Sequence, residues 1–314
     1  MILASLVAMT PTTTSTKRRR LIVIVGATGS GKTDLSVALA ERLHAPIIST
    51  DSRQFFKGIP IGTAQPTEEQ LQRVEHHFIS CFDLDRDFNC GEYERVAIER
   101  LEELFEQYDT VVAVGGSGLY IKALCEGIDD LPDADKSLRE ELMHRLESEG
   151  LESLVEQLRT LDADYCKVAD CCNPARVMRA LEVCLSTGKP YSSMRKGEPK
   201  RRNFEIVKIG IDMPREELYD HINRRVDMMV EQGLEAEARS VLPYRHCNAL
   251  NTVGFSEMFD YFDGKISREE AVELIKRNSR RYAKRQMTWF RRDVDVRWFS
   301  RMDIQQILEY IEAV

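Results

Sequence analysis

The sequence predicts an α/β fold, a parallel sheet flanked by helices, with an all-helical lobe inserted into it. Three observations carry this. The short apolar runs LIVIVG (21–26), APIISTDS (45–52) and TVVAVGG (110–116) alternate with segments of helical length. Buried parallel strands read as such β-branched runs, and their alternation with helices marks strand–helix–strand units. From Pro132 to about Leu185 strand signals vanish and the chain is polar and helical in pattern. Strand character then returns at NFEIVKIGIDM (203–213), so the sheet resumes beyond the lobe.

Taken in order, LIVIVG is a buried strand ending in glycine, followed by a helix over Lys32–Leu43 with Leu35, Leu39 and Leu43 on one face. APIISTDS is the second strand and runs into DSRQFFKGIPIGTAQPT, a loop rich in Gly and Pro. A helix over Tyr93–Gln107 precedes the third strand, and the character of the chain changes near Gly127. After the helical lobe, TGKPYSSMRKGEPKRRN reads as a basic linker or mobile loop. Helices are expected over Arg215–Leu242 and Arg268–Phe290, with DVRWFS as the last strand. The expected division is a disordered leader over 1–20, a core of 21–129 with 200–314, and a lobe of 130–199.

Composition narrows the function classes. The chain has 314 residues, is 31% charged and 43% hydrophobic, and carries a net charge of −8. That balance argues against nonspecific nucleic-acid binding by the whole surface, but not against a local basic face. The eight cysteines form no C-x-x-C pair, which argues against a structural zinc site; the neighbours Cys171 and Cys172 could chelate a soft metal, but buried or idle thiols of a reducing cytosol are the expectation. In MILASLVAMTPTTTSTKRRR the apolar run precedes the charges, the reverse of an export signal. A disordered leader, with Met9 as an alternative start, and a cytoplasmic protein without membrane spans are therefore expected.

Gly26, Ala27, Thr28, Gly29, Ser30, Gly31, Lys32 and Thr33 match the P-loop pattern G-x-x-x-x-G-K-T, with a strand before and a helix after. The fold expected is thus P-loop NTPase-like. Glycines let successive N–H groups turn toward phosphate oxygens, the helix N-terminus and Lys32 add positive charge, and Thr33 is placed to hold Mg²⁺. The third strand ends in Gly115-Gly116-Ser117, where an NTP hydrolase would carry a metal-binding aspartate. This weakens hydrolysis and leaves small-molecule kinases standing. Asp51, at the end of the second strand, could ligate Mg²⁺, cap a turn or accept a proton. Ser117 offers a hydroxyl among glycines; no His and acid stand near it in sequence, so a serine nucleophile is not indicated.

These segments resemble one family. GATGSGKT, STDSRQFFKGIPIGTAQP, VAVGGSGLYIKAL, NPARVMRALEV, INRRVDMMVEQGLEAE, TVGFSEM and YAKRQMTWFRR, spread from Gly26 to Arg292, are similar to those of the tRNA dimethylallyltransferases, also called isopentenyltransferases. The resemblance implies transfer of a dimethylallyl group from dimethylallyl diphosphate to N6 of the adenosine just 3′ of the anticodon, in tRNAs reading codons that begin with U. It implies that the P-loop holds the leaving diphosphate with Mg²⁺, that Asp51 is the general base, and that Ser117, where most members have threonine, hydrogen-bonds the amine. Lys32 and Arg225 join them as catalytic groups, with Arg224 beside Arg225 on the diphosphate. His221 stands where many members have arginine. For tRNA the resemblance points to Asp51, Ser52, Arg53 and Gln54, to Arg139, to Ala175, Arg176, Val177, Met178 and Arg179, and to Asn251, Thr252, Val253, Gly254, Phe255 and Ser256. Arg139 reads equally as a solvated helix charge, and TVGFSE as a structural turn around Gly254.

Arg277, Arg281 and Arg285 recur every fourth residue in the last long helix, a stripe suited to an RNA backbone. The aromatics Tyr282, Trp289 and Phe290 stand nearby, of which Trp289 and Phe290 are expected to pack inside. Against the transferase stand a small-molecule kinase, an RNA-binding protein that uses the loop as a switch, and an enzyme alkylating free adenine nucleotides. The helical lobe is expected to close on the anticodon stem, and a single chain is expected to hold the whole site.

Overall fold

The computed structural model describes residues 18–132, 135–300 and 303–314. Residues 1–17 of the expected leader lie outside the described residues. The chain divides into two compact units, residues up to Ile121 with Arg202–Val314, and Lys122–Arg201.

The first unit begins with β1 (Arg20–Gly26), α1 (Lys32–Leu43), β2 (Ile47–Ser49), α2 (Glu68–Arg73), β3 (His76–His77), α3 (Cys90–Gln107) and β4 (Thr110–Val114). The helix α4 (Gly118–Glu126) follows. The lobe then contributes α5 (Lys136–Glu149), α6 (Leu151–Leu161), α7 (Ala163–Val168), α8 (Pro174–Thr187) and α9 (Tyr191–Met194). Back in the first unit come β5 (Glu205–Asp212), α10 (Arg215–Glu231), α11 (Leu234–Ser240), α12 (Phe255–Phe262), α13 (Arg268–Phe290), β6 (Val296–Ser300) and α14 (Ile304–Ala313).

The six strands pair in parallel in the order β3-β2-β4-β1-β5-β6. β1 is central and buried along its length, with Ile22 between Val112 of β4 and Val207 of β5. Burial on both faces is what its unbroken LIVIV run requires. Leu35 and Leu39 of α1 join Ile22, Ile24, Val112 and Ile209 in one apolar cluster that Ile307 and Ile311 of α14 complete. Each such side chain contributes about 1.5–3 kcal/mol when removed from water.

Beneath the loop after β2, Phe55 stacks on Tyr93 with ring centroids 5.3 Å apart, and Phe78, Phe88 and Tyr120 surround the pair. The Tyr93 hydroxyl donates to the Ser49 carbonyl at 3.0 Å. This aromatic floor holds the carboxyl end of β2 and the residues that follow it.

The lobe has its own core of Leu142, Leu154, Leu158, Val177, Leu181 and neighbours. Asp162, buried, accepts from the Tyr165 N–H at 3.0 Å and from the Ser192 N–H at 2.6 Å, tying α7 to α9. Those contacts hold its carboxyl below the usual range, against the desolvation that opposes ionisation.

Several expectations need correction. Arg20, assigned to the leader, opens β1, and its guanidinium reaches the Ile311 carbonyl at 2.6 Å. The helix expected over Arg215–Leu242 breaks at Gly233, whose φ of 104° belongs to the left-handed region that glycine favours. The break lets Glu237 of α11 accept from the Ile61 and Gly62 N–H groups at 2.8 and 2.7 Å. Elements α2, β3, α12 and α14 were not anticipated; the turn weighed around Gly254 in TVGFSE is present at Val253–Gly254 and leads directly into α12. Phe290 is buried as expected, whereas Trp289 is 41% exposed, its indole lying against Gly118.

Candidate active site

The glycines of the phosphate loop adopt the backbone their pattern requires: Gly29 and Gly31 have φ of 81° and 84°. A side chain at Gly29 would also collide with Ile222 of α10, which packs over the loop. Lys32 begins α1 and its ammonium donates to the Ala27 carbonyl at 2.6 Å. Burial, reinforced by the Arg225 guanidinium and opposed by the Asp51 carboxylate, pushes the Lys32 ammonium down to about 7. Arg225, projecting from α10, is itself held below its ordinary value by burial, with Asp51 and Asp34 opposing. Lys32 and, from α10, Arg225 thus set two cations in a dry place with little negative charge beside them, an environment that favours an anionic ligand.

Asp51 follows β2 in a turn closed by its own groups: Oδ1 accepts from the Arg53 N–H at 3.0 Å and its carbonyl from the Gln54 N–H at 3.1 Å. Opposite it lies the end of β4. A Cβ on Gly115 would fall 2.5 Å from the Thr50 carbonyl carbon, and one on Gly116 would fall 3.6 Å from Asp51 Oδ2. The two glycines therefore let the ends of β2 and β4 approach, and Ser117 meets Ser52. Ser117 Oγ donates to Ser52 Oγ at 3.0 Å and accepts from the Ser52 N–H at 3.0 Å. The Tyr282 phenol of α13 lies against Ser117, and burial followed by the Asp51 charge pushes it up to about 12.

Thr28, Lys32, Thr33, Asp51, Gln54, Gly116, Arg225, Tyr282 and Gln286 line one cavity. A larger cleft of about 930 Å³ lies on the other flank of the loop, between Leu218, Tyr219, Met287 and Trp298. Lys32, Asp51 and Arg225 are absent from its lining; these charged groups gather instead at the smaller cavity. Its oxygen donors suit a hard cation: Thr33, Ser49 and Asp51 face the same space. No group of three or more His, Cys, Asp or Glu capable of holding a metal exists among the described residues. A Mg²⁺ ion here would therefore rely on phosphate oxygens and water beyond Thr33.

Other anticipated residues separate by where they point. Arg53, its charge disfavoured by burial, donates to the carbonyls of Asn248 and Asn251, the latter at 3.2 Å, and so joins the Asp51 turn to the Asn251–Ser256 segment. Gln54 braces the same turn, donating to the Ala64 carbonyl at 2.9 Å. Gly254 has φ of 104° and its N–H is taken by Glu257. Phe255 is fully buried against Gly62 and offers no surface to a tRNA. Arg224 is exposed and turns back toward the Asp220 carbonyl at 3.4 Å, away from the cavity that Arg225 lines. Within the lobe, Val177 and Met178 are core residues, because helical periodicity turns them inward. Ala175 and Arg176 are exposed, and Arg139 and Arg179 converge on buried Glu182 at 3.1 and 3.3 Å. Of the outward stripe on α13, Arg277, Arg281 and Arg285 are exposed and enter no ion pair among the described residues.

Gln286 was missed as a site residue, and Tyr282 was noted only as an aromatic beside the basic stripe. Both lie in YAKRQMTWFRR, four apart and so on one helix face, which adjoins the arginine stripe, with Arg285 lying over the Tyr282 ring.

A family model described as IPP transferase matches residues 54–293. Among curated proteins, the chain is 50% identical over 291 residues to tRNA dimethylallyltransferase 1 of Bacteroides thetaiotaomicron, covering 93% of this chain and 94% of the relative. It is 55% identical over 284 residues to tRNA dimethylallyltransferase 2 of Porphyromonas gingivalis, covering 90% and 95%. Among solved structures, it resembles the full-length tRNA isopentenylpyrophosphate transferase of Bacillus halodurans with a TM-score of 0.70 at 38% identity, covering 94% of this chain and 96% of that one. It also resembles a eukaryotic dimethylallyltransferase acting on tRNA, with a TM-score of 0.75 at 25% identity, covering 92% and 75%.

Proposed function

The chain belongs to the IPP transferase family, the prenyltransferases that modify tRNA, and from that premise we propose how its own residues carry out the transfer. The single observation that supports the reading is the shared cavity: a phosphate loop with Lys32 and Arg225 on one side, and Asp51, beside Ser117, on the other. In the proposed reaction the loop holds the diphosphate of dimethylallyl diphosphate. The adenosine 3′ of the anticodon leaves its stack and enters from the side of Asp51, Ser52, Arg53 and Gln54.

The amine lone pair is delocalised into the adenine ring, so N6 is a weak nucleophile. As the N6–carbon bond forms and the carbon–oxygen bond to diphosphate breaks, Asp51 takes the amine proton. The Ser117 hydroxyl orients the amine. The electron pair leaves with diphosphate, whose growing charge Lys32, Arg225 and the N–H groups at the start of α1 stabilise. Thr33 would hold Mg²⁺, which supplies Lewis-acid stabilisation of the leaving group. Restriction to tRNAs reading codons that begin with U, and action by a single chain, belong to the same proposal.

No helix among the described residues is long and apolar enough to cross a membrane. All eight cysteines are free, which accords with the reducing cytoplasm we propose as its compartment.

Isotope transfer tests the reading. The protein and Mg²⁺ are incubated with unmodified tRNA and dimethylallyl diphosphate labelled in the prenyl carbon, beside a tube with γ-labelled ATP. Prenyl label at the adenosine beside the anticodon is the expected result. Phosphate moving from ATP with no prenyl label would replace this reading by a kinase.

A further inference from the structure

Between the phosphate loop and the end of β4 stands one buried amide. Gln286 of α13 is 6% exposed. Its Oε1 accepts from the Thr28 N–H at 2.8 Å and its Nε2 donates to the Gly116 carbonyl at 2.8 Å. The orientation follows from the partners, since an N–H requires an acceptor and a C=O a donor. Thr28 belongs to the cradle for the leaving group, and Gly116 immediately precedes Ser117. A Cβ on Gly116 would lie 2.3 Å from Gln286 Nε2, so glycine there is what admits the amide. The Thr28 N–H is thereby occupied, and the diphosphate is left to the N–H groups further along the loop.

We propose that Gln286 is a positioning residue that sets the spacing between the donor cradle and the acceptor hydroxyl; the inference rests on the transfer reaction proposed above. α13 has a reason to carry this role, because Tyr282, one turn earlier, touches Ser117 itself. The same helix face thus brings Tyr282 beside the acceptor group and ties both strand-end loops through Gln286. Transfer requires the attacking nitrogen and the prenyl carbon about 3–3.5 Å apart, and a misplacement of about 1 Å costs on the order of a hundredfold in rate. Neither substrate needs Gln286 in order to bind, since Lys32, Arg225 and the exposed basic residues remain.

The test is kinetic. Gln286→Met keeps length and removes both hydrogen bonds; Gln286→Asn keeps the amide but cannot span both partners. Wild-type protein must first transfer prenyl label to tRNA, and its failure to do so would sink the transfer reading rather than this one. Given transfer, both variants are expected to lose about 10–100-fold in single-turnover rate. Calorimetric affinity for inorganic diphosphate and the KM for tRNA should stay within about threefold of wild type, well under the loss expected for a misplaced reacting pair. A rate within about twofold of wild type, or a loss confined to diphosphate affinity or tRNA KM, would overturn the positioning role, since both lie outside the misplacement effect. Should Gln286→Met fail to fold, Gln286→Asn carries the same reading, with circular dichroism and Tm confirming its fold.

Discussion

Lys32 is surrounded by groups that disfavour its charge, burial first and Arg225 second, and its ammonium lies at about 7 where an ordinary lysine lies at 10.5. In the ligand-free protein the cost of charging it is present below about pH 7 and is relieved as pH rises toward 10.5. A bound diphosphate stabilises the charged form, so above pH 7 binding must take up a proton. Diphosphate affinity is then expected to fall by roughly tenfold per pH unit above neutrality. Calorimetry at pH 8 in two buffers of different ionisation enthalpy reads the proton directly; uptake near zero would place the lysine outside the phosphate site. Asp51→Ala is expected to reduce transfer about 100–10,000-fold, the range of general base catalysis, while diphosphate still binds. Loss of binding as well would make Asp51 a metal ligand or a structural residue. Lys32, Asp51 and Ser117 were legible because each follows a strand within a short local pattern, Lys32 closing the phosphate loop and the other two at the strand ends. Gln286 was not, because its partner Gly116 lies 170 residues away and a lone glutamine carries no spacing signal.

On α13 two faces divide the labour. Ala271, Ile275, Ala283, Gln286 and Phe290 point inward, while Arg277, Arg281 and Arg285 are exposed. A cation that contacts phosphate releases a counterion, and each such contact adds about 0.7–0.9 to the logarithmic salt slope. Replacing the three arginines by alanine is expected to weaken tRNA binding and lower that slope by about two to three, on the same arithmetic. Diphosphate affinity should not change. A slope equal to that of wild type would make the stripe a solvated face. The stripe was readable because helical period and charge coincide. Elements with weaker signals were not: β3 is two residues long, and α2 has no buried residue to give it a period. The break between α10 and α11 rests on one glycine inside a continuous helical pattern, where glycine is often tolerated at a cost of about 1 kcal/mol. Trp289 shows the limit in another way. An aromatic beside Phe290 reads as core, yet two neighbours on a helix point about 100° apart, and only Phe290 faces inward.

At the scale of the whole chain, the lobe and the sheet carry separate hydrophobic cores, one around Leu158 and one around Ile22. The sequence showed the lobe as a stretch without strands, but could not sort its anticipated tRNA residues. Only packing shows that Val177 and Met178 complete the lobe core while Arg139 and Arg179 are anchored by Glu182, whose carboxylate is 1% exposed. A buried carboxylate shared by two arginines fixes their direction, and truncating it would leave uncompensated charge. Two cores imply two units able to open with different free energies. Leu158→Ala, at a fully buried position, is expected to cost about 2–5 kcal/mol. Hydrogen exchange of the full-length variant should show lost protection in α5, α6 and α8, with β1, β4 and β5 protected as before. Diphosphate affinity should be retained and tRNA affinity reduced, because the arginines of α5 and α8 lose their fixed positions while the phosphate loop keeps its own. Equal loss of protection in the lobe helices and the central strands would show instead that the two cores unfold as one.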